Sequence, residues 1–111
     1  MRILLFRGNF SWDGENTHNG LICWCHIEPG DFDKIKTVIR KVKQRKRMNE
    51  NVILVPFAHL DNSAMFYDSA KLCFEELVKE FTGSIFAPFG VEKELILSVA
   101  ADDTAVKFLT I

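Results

Sequence analysis

Cysteine is scarce and its number is odd. Cys23, Cys25 and Cys73 are the three present, which makes no disulfide framework and fits a reducing compartment. Cys23-Trp24-Cys25 is C-x-C, not the C-x-x-C of redox and zinc sites. On a strand both thiols would face one way, as small core residues do. His26 adjoins them, yet no second ligand pair stands at zinc spacing. No metal is expected, and no segment calls for an organic cofactor. Long apolar runs are also missing. Nothing approaches the roughly 18–20 residues that span a bilayer, and the Ile3–Phe6 run between Arg2 and Arg7 is too short for a signal-peptide core. A cytoplasmic protein is the expectation. Charge of one sign is not in excess either. Against 15 Asp and Glu stand 14 Lys and Arg, a net of −1, which argues against a protein that coats polyanions.

What remains is a chain of 111 residues, 48% apolar and with ten Phe, enough to build the core of one domain over residues 1–111. The net charge conceals a split. Residues 1–47 hold ten basic and five acidic residues, and residues 48–111 hold four and ten.

Two helices are expected. The first opens at Pro29-Gly30-Asp31, with Asp31 as N-cap. Phe32, Ile35, Val38, Ile39 and Val42 form its apolar stripe. Eight basic residues accompany it: Lys34, Lys36, Arg40, Lys41, Lys43, Arg45, Lys46 and Arg47. The second follows Asn62-Ser63, with Phe66, Ala70, Cys73, Phe74, Leu77, Val78 and Phe81 as its inner face and Gly83 closing it. Its outer face is acidic. Short apolar runs bounded by turn residues predict strands at Ile3–Phe6, Leu21–Ile27, Val52–Phe57, Ser84–Ala87, Leu95–Val99 and Ala105–Leu109. Residues 13–20 read as a hairpin tip. The order β, β, α, β, α, β, β, β, with hairpins at both ends, predicts an α/β (α+β) fold: a mixed sheet with two helices packed on it. Two helices cannot cover both faces of six strands, so one face is expected to curl or to meet a partner subunit.

Three segments carry chemistry. Val55-Pro56-Phe57-Ala58-His59-Leu60 leaves an apolar strand toward a helix, where open α/β sheets place ligands. His59 can donate to a substrate or relay a proton near neutral pH, or it can simply cap the strand end. Ala87-Pro88-Phe89-Gly90 is a tight turn, and Lys93 just beyond it can stabilise an oxyanion or hold a phosphate, or be an ordinary solvated lysine. The run Lys41, Lys43, Arg45, Lys46, Arg47 has no acidic residue in its helix after Asp33. Partnering at i,i+4 therefore cannot account for it. It is a solvated face or a contact for nucleic-acid phosphates, which would make binding salt-dependent.

The two Pro-Phe segments, with Met1-Arg2-Ile3-Leu4-Leu5-Phe6 at the start, resemble the archaeal threonyl-tRNA synthetase editing domain, which shares its fold with D-aminoacyl-tRNA deacylases. The likeness runs over nearly the whole chain, in order and spacing. It implies a tRNA-binding hydrolase of translation proofreading, which removes serine from Ser-tRNA(Thr) by ester hydrolysis. It implies a pocket lined by Pro56, Phe57, Ala58 and His59 on one side and by Phe89 and Gly90 on the other. Lys93 falls on the family's functional lysine, where it would orient the water or stabilise developing negative charge, and Lys93 and His59 are the expected catalytic residues. It also implies a homodimer paired through its sheets, with Trp12, Trp24 or Phe108 at the contact, and a stand-alone protein or excised domain, with a threonyl-tRNA synthetase acting in trans. Where the family has His-Ser-Asp after the first strand, this chain has Arg7-Gly8-Asn9, and the family's tyrosine before the lysine is Glu92. The family's glutamate after the next strand has no clear counterpart, with Asp102 and Asp103 near but displaced. Arg7-Gly8-Asn9 and that missing glutamate motivate one alternative, a catalytically silent tRNA-binding or synthetase-associated module; the shared fold motivates the other, a D-aminoacyl-tRNA deacylase.

Overall fold

The computed structural model describes residues 1–57, 66–90, 95–100 and 106–111. Among these, six strands and two helices are present: β1 (Arg2–Ser11), β2 (His18–His26), α1 (Ile35–Arg45), β3 (Val52–Pro56), α2 (Tyr67–Glu80), β4 (Ile85–Phe86), β5 (Ile96–Val99) and β6 (Val106–Thr110). They build one mixed sheet in the order β4-β3-β2-β1-β5, with β6 also on β1. The expected mixed α/β sheet with two helices is borne out.

Both helices lie on one face of the sheet, for a topological reason. β2, β3 and β4 are parallel neighbours in sequence order. Two right-handed crossovers that advance in the same direction place their helices on the same side. Under the helices lies the main core. Ile3 and Leu5 from β1, Leu21, Cys23 and Cys25 from β2, and Val52 and Leu54 from β3 meet Ile35, Val38 and Val42 of α1 and Ala70, Cys73, Phe74 and Leu77 of α2. The alternating residues point the other way. There Phe10, Ile22, Ile53, Val55 and Ala87 form a smaller cluster, joined by Phe6, Trp12, Trp24, Ile85 and Leu97. No helix among the described residues covers this second face. Trp24 packs edge-on to Phe6 at 5.1 Å and against Phe57 at 4.5 Å. Phe108 shares the face through its pairing with Leu4 and is 46% exposed.

Several local expectations change. β1 runs on to Ser11 through Arg7-Gly8-Asn9. A Cβ at Gly8 would overlap the Ser98 carbonyl, so only glycine admits β5 there. The C-terminal hairpin is replaced by an in-line pair: β5 pairs with residues 8–11 of β1 and β6 with residues 2–6, both antiparallel and along one edge. Asp31 does not cap α1. A 3₁₀ turn, Asp31–Lys34, precedes the helix, and the buried Asp31 carboxylate instead accepts from the Met1 amine at 2.7 Å and the Glu28 N–H at 2.6 Å. The tighter turn also rotates Phe32 off the stripe, leaving it 46% exposed. Phe66 has extended backbone just ahead of α2 and is 90% exposed rather than part of the inner face. Asn19 and Gly20 belong to β2, and the hairpin tip is held by Asp13, which accepts the N–H groups of Glu15 and Asn16 at 2.9 and 2.8 Å. No described helix is long and apolar enough to cross a membrane.

Candidate functional site

The two Pro-Phe segments leave adjacent parallel strands at the same end of the sheet. Leu54 of β3 sits opposite Phe86 of β4, and the Ala87 N–H donates to the Leu54 carbonyl at 2.9 Å. Two residues further along each strand come Pro56 and Pro88, then Phe57 and Phe89. The C-terminal ends of parallel strands are where open α/β sheets hold ligands. Backbone adjacency thus brings Pro56, Phe57, Phe89 and Gly90 to one end of the sheet. Ala58, His59 and Lys93 lie outside the described residues.

The rings of the two segments diverge. Phe57 turns to the helix-free face and packs on Trp24, while its N–H is held by the Cys25 carbonyl at 3.0 Å. Phe89 turns to the helix side, 5.3 Å from Tyr67 and 6.0 Å from Phe74. Tyr67 is the chain's one tyrosine, and reading the sequence did not single it out. It begins α2 with its hydroxyl against Gly90. A Cβ at Gly90 would overlap that oxygen, and the Gly90 φ of 74° lies in the left-handed region. Gly90 therefore serves both backbone and contact. Beside Phe89, a cavity of about 430 Å³ is lined by Lys71, Phe74, Glu75, Val78, Lys79, Phe86 and Pro88.

The basic run does not act as one surface. Lys43, Lys46 and Arg47 line a second cavity of about 440 Å³ with Met48, Glu50, Phe81 and Gly83, at the opposite end of β3. The Lys43 ammonium stands 5.7 Å from the Phe81 ring centre, within cation–π range. Lys41 and Arg45 are half-buried and do not line it. The Arg45 carbonyl instead accepts from Arg7 at 2.6 Å. Arg7 also donates to both Glu50 oxygens, at 2.8 and 3.1 Å, and the Arg47 N–H donates to Glu50 at 3.1 Å. Burial alone would raise the Glu50 carboxyl, but the Arg7 and Arg47 hydrogen bonds and charges hold it below its ordinary value of 4.5. Arg7 is thus committed to fastening the end of α1.

The cysteines offer no nucleophile at neutral pH. Burial pushes all three thiols up, Cys25 to about 12 and Cys73 to about 11, and the thiolate is the reactive form. His26 alternates with Cys23 and Cys25 along β2, so its ring faces away from their thiols. It is fully buried, and among the described residues neither ring nitrogen has a hydrogen-bond partner.

No family model and no curated protein matches this chain. Among solved structures it is similar to one described as a c-Myc DNA unwinding element binding protein. The two share 13% identity and a TM-score of 0.77 over 100% of this chain and 99% of that one. At that identity the likeness shows a shared fold, end to end.

Proposed function

We propose that this protein is an aminoacyl-tRNA deacylase that removes serine from Ser-tRNA(Thr). The observation that carries the reading is the emergence of Pro56-Phe57 and Pro88-Phe89-Gly90, side by side, from the C-terminal ends of parallel neighbours. The adjacent backbones of the two segments form the walls of one crevice in this reading, with the Phe57 and Phe89 rings turned to opposite faces of the sheet. In that crevice a water attacks the ester carbonyl, the bond to the ribose oxygen of the terminal adenosine breaks, and that oxygen takes up the proton. Lys93 stabilises the negative charge that develops on the carbonyl oxygen. His59 moves the proton. Such a second site is needed because threonine exceeds serine by one methyl, worth only about 1–3 kcal/mol in a pocket. Lys43, Lys46 and Arg47 hold tRNA phosphates, and Lys41 and Arg45 add to the field without lining the cavity. Two copies pair through the helix-free faces around Trp24 and Phe108, and a threonyl-tRNA synthetase supplies the charged tRNA. The solved structure described as binding a DNA element is compatible with a nucleic-acid ligand on this fold.

Incubating micromolar protein with Ser-tRNA(Thr) and Thr-tRNA(Thr) tests the reading. Serine is released faster than threonine; no release of either sinks it. One observation favours a second reading. Arg7 is spent on Glu50 and Arg45, and the strand around it is paired on both sides, so this stretch offers no acid–base group. A catalytically silent tRNA-binding module would bind tRNA in a salt-dependent way without turnover. Hydrolysis confined to D-aminoacyl esters would instead mark a D-aminoacyl-tRNA deacylase.

A further inference from the structure

Helix α2 runs antiparallel to β4. Its first residue, Tyr67, lies against Gly90 at the crevice end. Its C-terminal side reaches Phe81, Thr82 and Gly83 at the basic cavity. The helix spans 14 residues, about 20 Å at 1.5 Å per residue. Between these ends, along the β4 edge of the sheet, lies the 430 Å³ cavity. That is within the size range of small-ligand sites. Its lining combines two features. Phe74 forms an apolar floor, and Phe86 and Phe89 supply aromatic surface, with Phe86 47% exposed on the edge strand. At its rim stand Lys71 and Lys79, eight residues apart and so about 12 Å along the helix axis. Both are exposed, and among the described residues neither is held in an ion pair. Glu75 lies between them on the same side of α2.

Aromatic surface flanked by separated cations is what binds unpaired nucleotides: bases stack on the rings, and phosphates sit on the lysines. A carboxylate beside the rings accepts from an exocyclic amine, which cytosine and adenine carry and uracil does not. We infer that the cavity between α2 and β4 binds an unpaired nucleotide of the tRNA 3′ arm, stacked on Phe86, with Lys71 and Lys79 on the flanking phosphates and Glu75 accepting from the base amine. The 3′ strand then runs from the crevice along α2 to the basic cavity, where paired-stem phosphates meet Lys43 and Lys46. This path rests on the tRNA part of the proposed function and not on its hydrolytic part.

The test is fluorescence anisotropy with the full chain and three labelled RNA minihelices of one stem, carrying a 3′-CCA overhang, a 3′-UUU overhang or a blunt end. The CCA overhang is expected to bind at least tenfold tighter than the blunt stem. Phe86→Ala should remove most of that gain, since one base–aromatic stack is worth roughly a tenfold factor or more. The double variant Lys71→Glu/Lys79→Glu, confined to exposed positions, should do the same while leaving blunt-stem affinity unchanged. Glu75→Ala, which removes the acceptor, should level CCA and UUU. Equal binding of overhang and blunt stems, absence of binding, or a Phe86→Ala protein that keeps the full overhang gain overturns the inference. Equal binding of CCA and UUU by the unaltered protein overturns the role of Glu75. Ester hydrolysis is read separately. Binding through Phe86 without hydrolysis refutes the enzyme and keeps the path, whereas hydrolysis insensitive to Phe86→Ala, with no overhang gain, does the reverse.

Discussion

Replacing Glu50 by Gln keeps the side chain's shape and removes one charge from the junction of β1, α1 and the segment that follows. Glu50 accepts two hydrogen bonds from Arg7 and one from the Arg47 N–H, and the pair is nearly buried, at 13% and 12% side-chain exposure. An exposed ion pair contributes at most about 1 kcal/mol, and breaking a fully buried one costs about 3–5 kcal/mol. This pair falls between, so Glu50→Gln should cost about 2 kcal/mol. For a domain of this size that lowers Tm by roughly 10 °C. The loss should depend on pH with a definite sign. The folded carboxyl titrates below its ordinary value, so its contribution is fully present above the unfolded value of 4.5. It is lost as pH falls through the lower folded value. Thermal unfolding of both proteins between pH 7 and pH 3 should show a gap that is constant at neutral pH and closes in acid. A gap that stays the same down to pH 3, or no gap at pH 7, would refute the role given to the Arg7–Glu50 pair.

Three other outcomes follow from the same geometry. Gly90→Ala should lower Tm by about 10 °C, roughly half from about 1 kcal/mol of left-handed strain and the rest from displacement of Tyr67. In a Tyr67→Ala background only the strain should remain, and an undiminished cost would contradict the Tyr67–Gly90 contact. Lys43→Glu/Lys46→Glu should weaken tRNA binding and flatten the plot of log K against log salt by about 2, near 0.9 for each phosphate no longer neutralised; an unchanged slope in filter binding would remove both lysines from the interface. Phe108→Asp should convert a dimer to a monomer in sedimentation velocity, and a dimer that persists would place the contact elsewhere than the helix-free face.

Much of the fold was legible because periodicity reports burial. Ile35, Val38 and Val42 at helical spacing, and Ala70, Cys73, Phe74 and Leu77 after them, are buried as the pattern required. All six strands stand where short apolar runs lay between turn residues. The misreadings have local causes. Asp31 has the chemistry of an N-cap, but a partner 30 residues away in sequence claims its carboxylate, and local pattern cannot register a long-range ion pair. β5 and β6 read as a hairpin because neighbouring strands usually pair, whereas β1 is long enough to seat both in line. Of the site, the two Pro-Phe turns were legible and their adjacency follows from parallel pairing. That Phe57 and Phe89 point to opposite faces is not set by register, since Leu54 sits opposite Phe86 and each ring is three residues further on; Phe89 lies in a turn beyond the end of β4, where strand alternation no longer holds, and local apolar pattern does not report that. Tyr67 escaped notice because its partner, Gly90, is 23 positions away and has no side chain to signal the contact.

The proposal of an editing hydrolase meets its most direct test in single-turnover hydrolysis of Ser-tRNA(Thr), comparing the unaltered protein with Lys93→Ala. The account predicts release of serine well above the spontaneous rate, slowed by about a hundredfold or more when the charge that stabilises the oxyanion is removed. Spontaneous-rate hydrolysis by the unaltered protein would contradict the enzymatic reading, and equal rates for the two proteins would remove Lys93 from the mechanism.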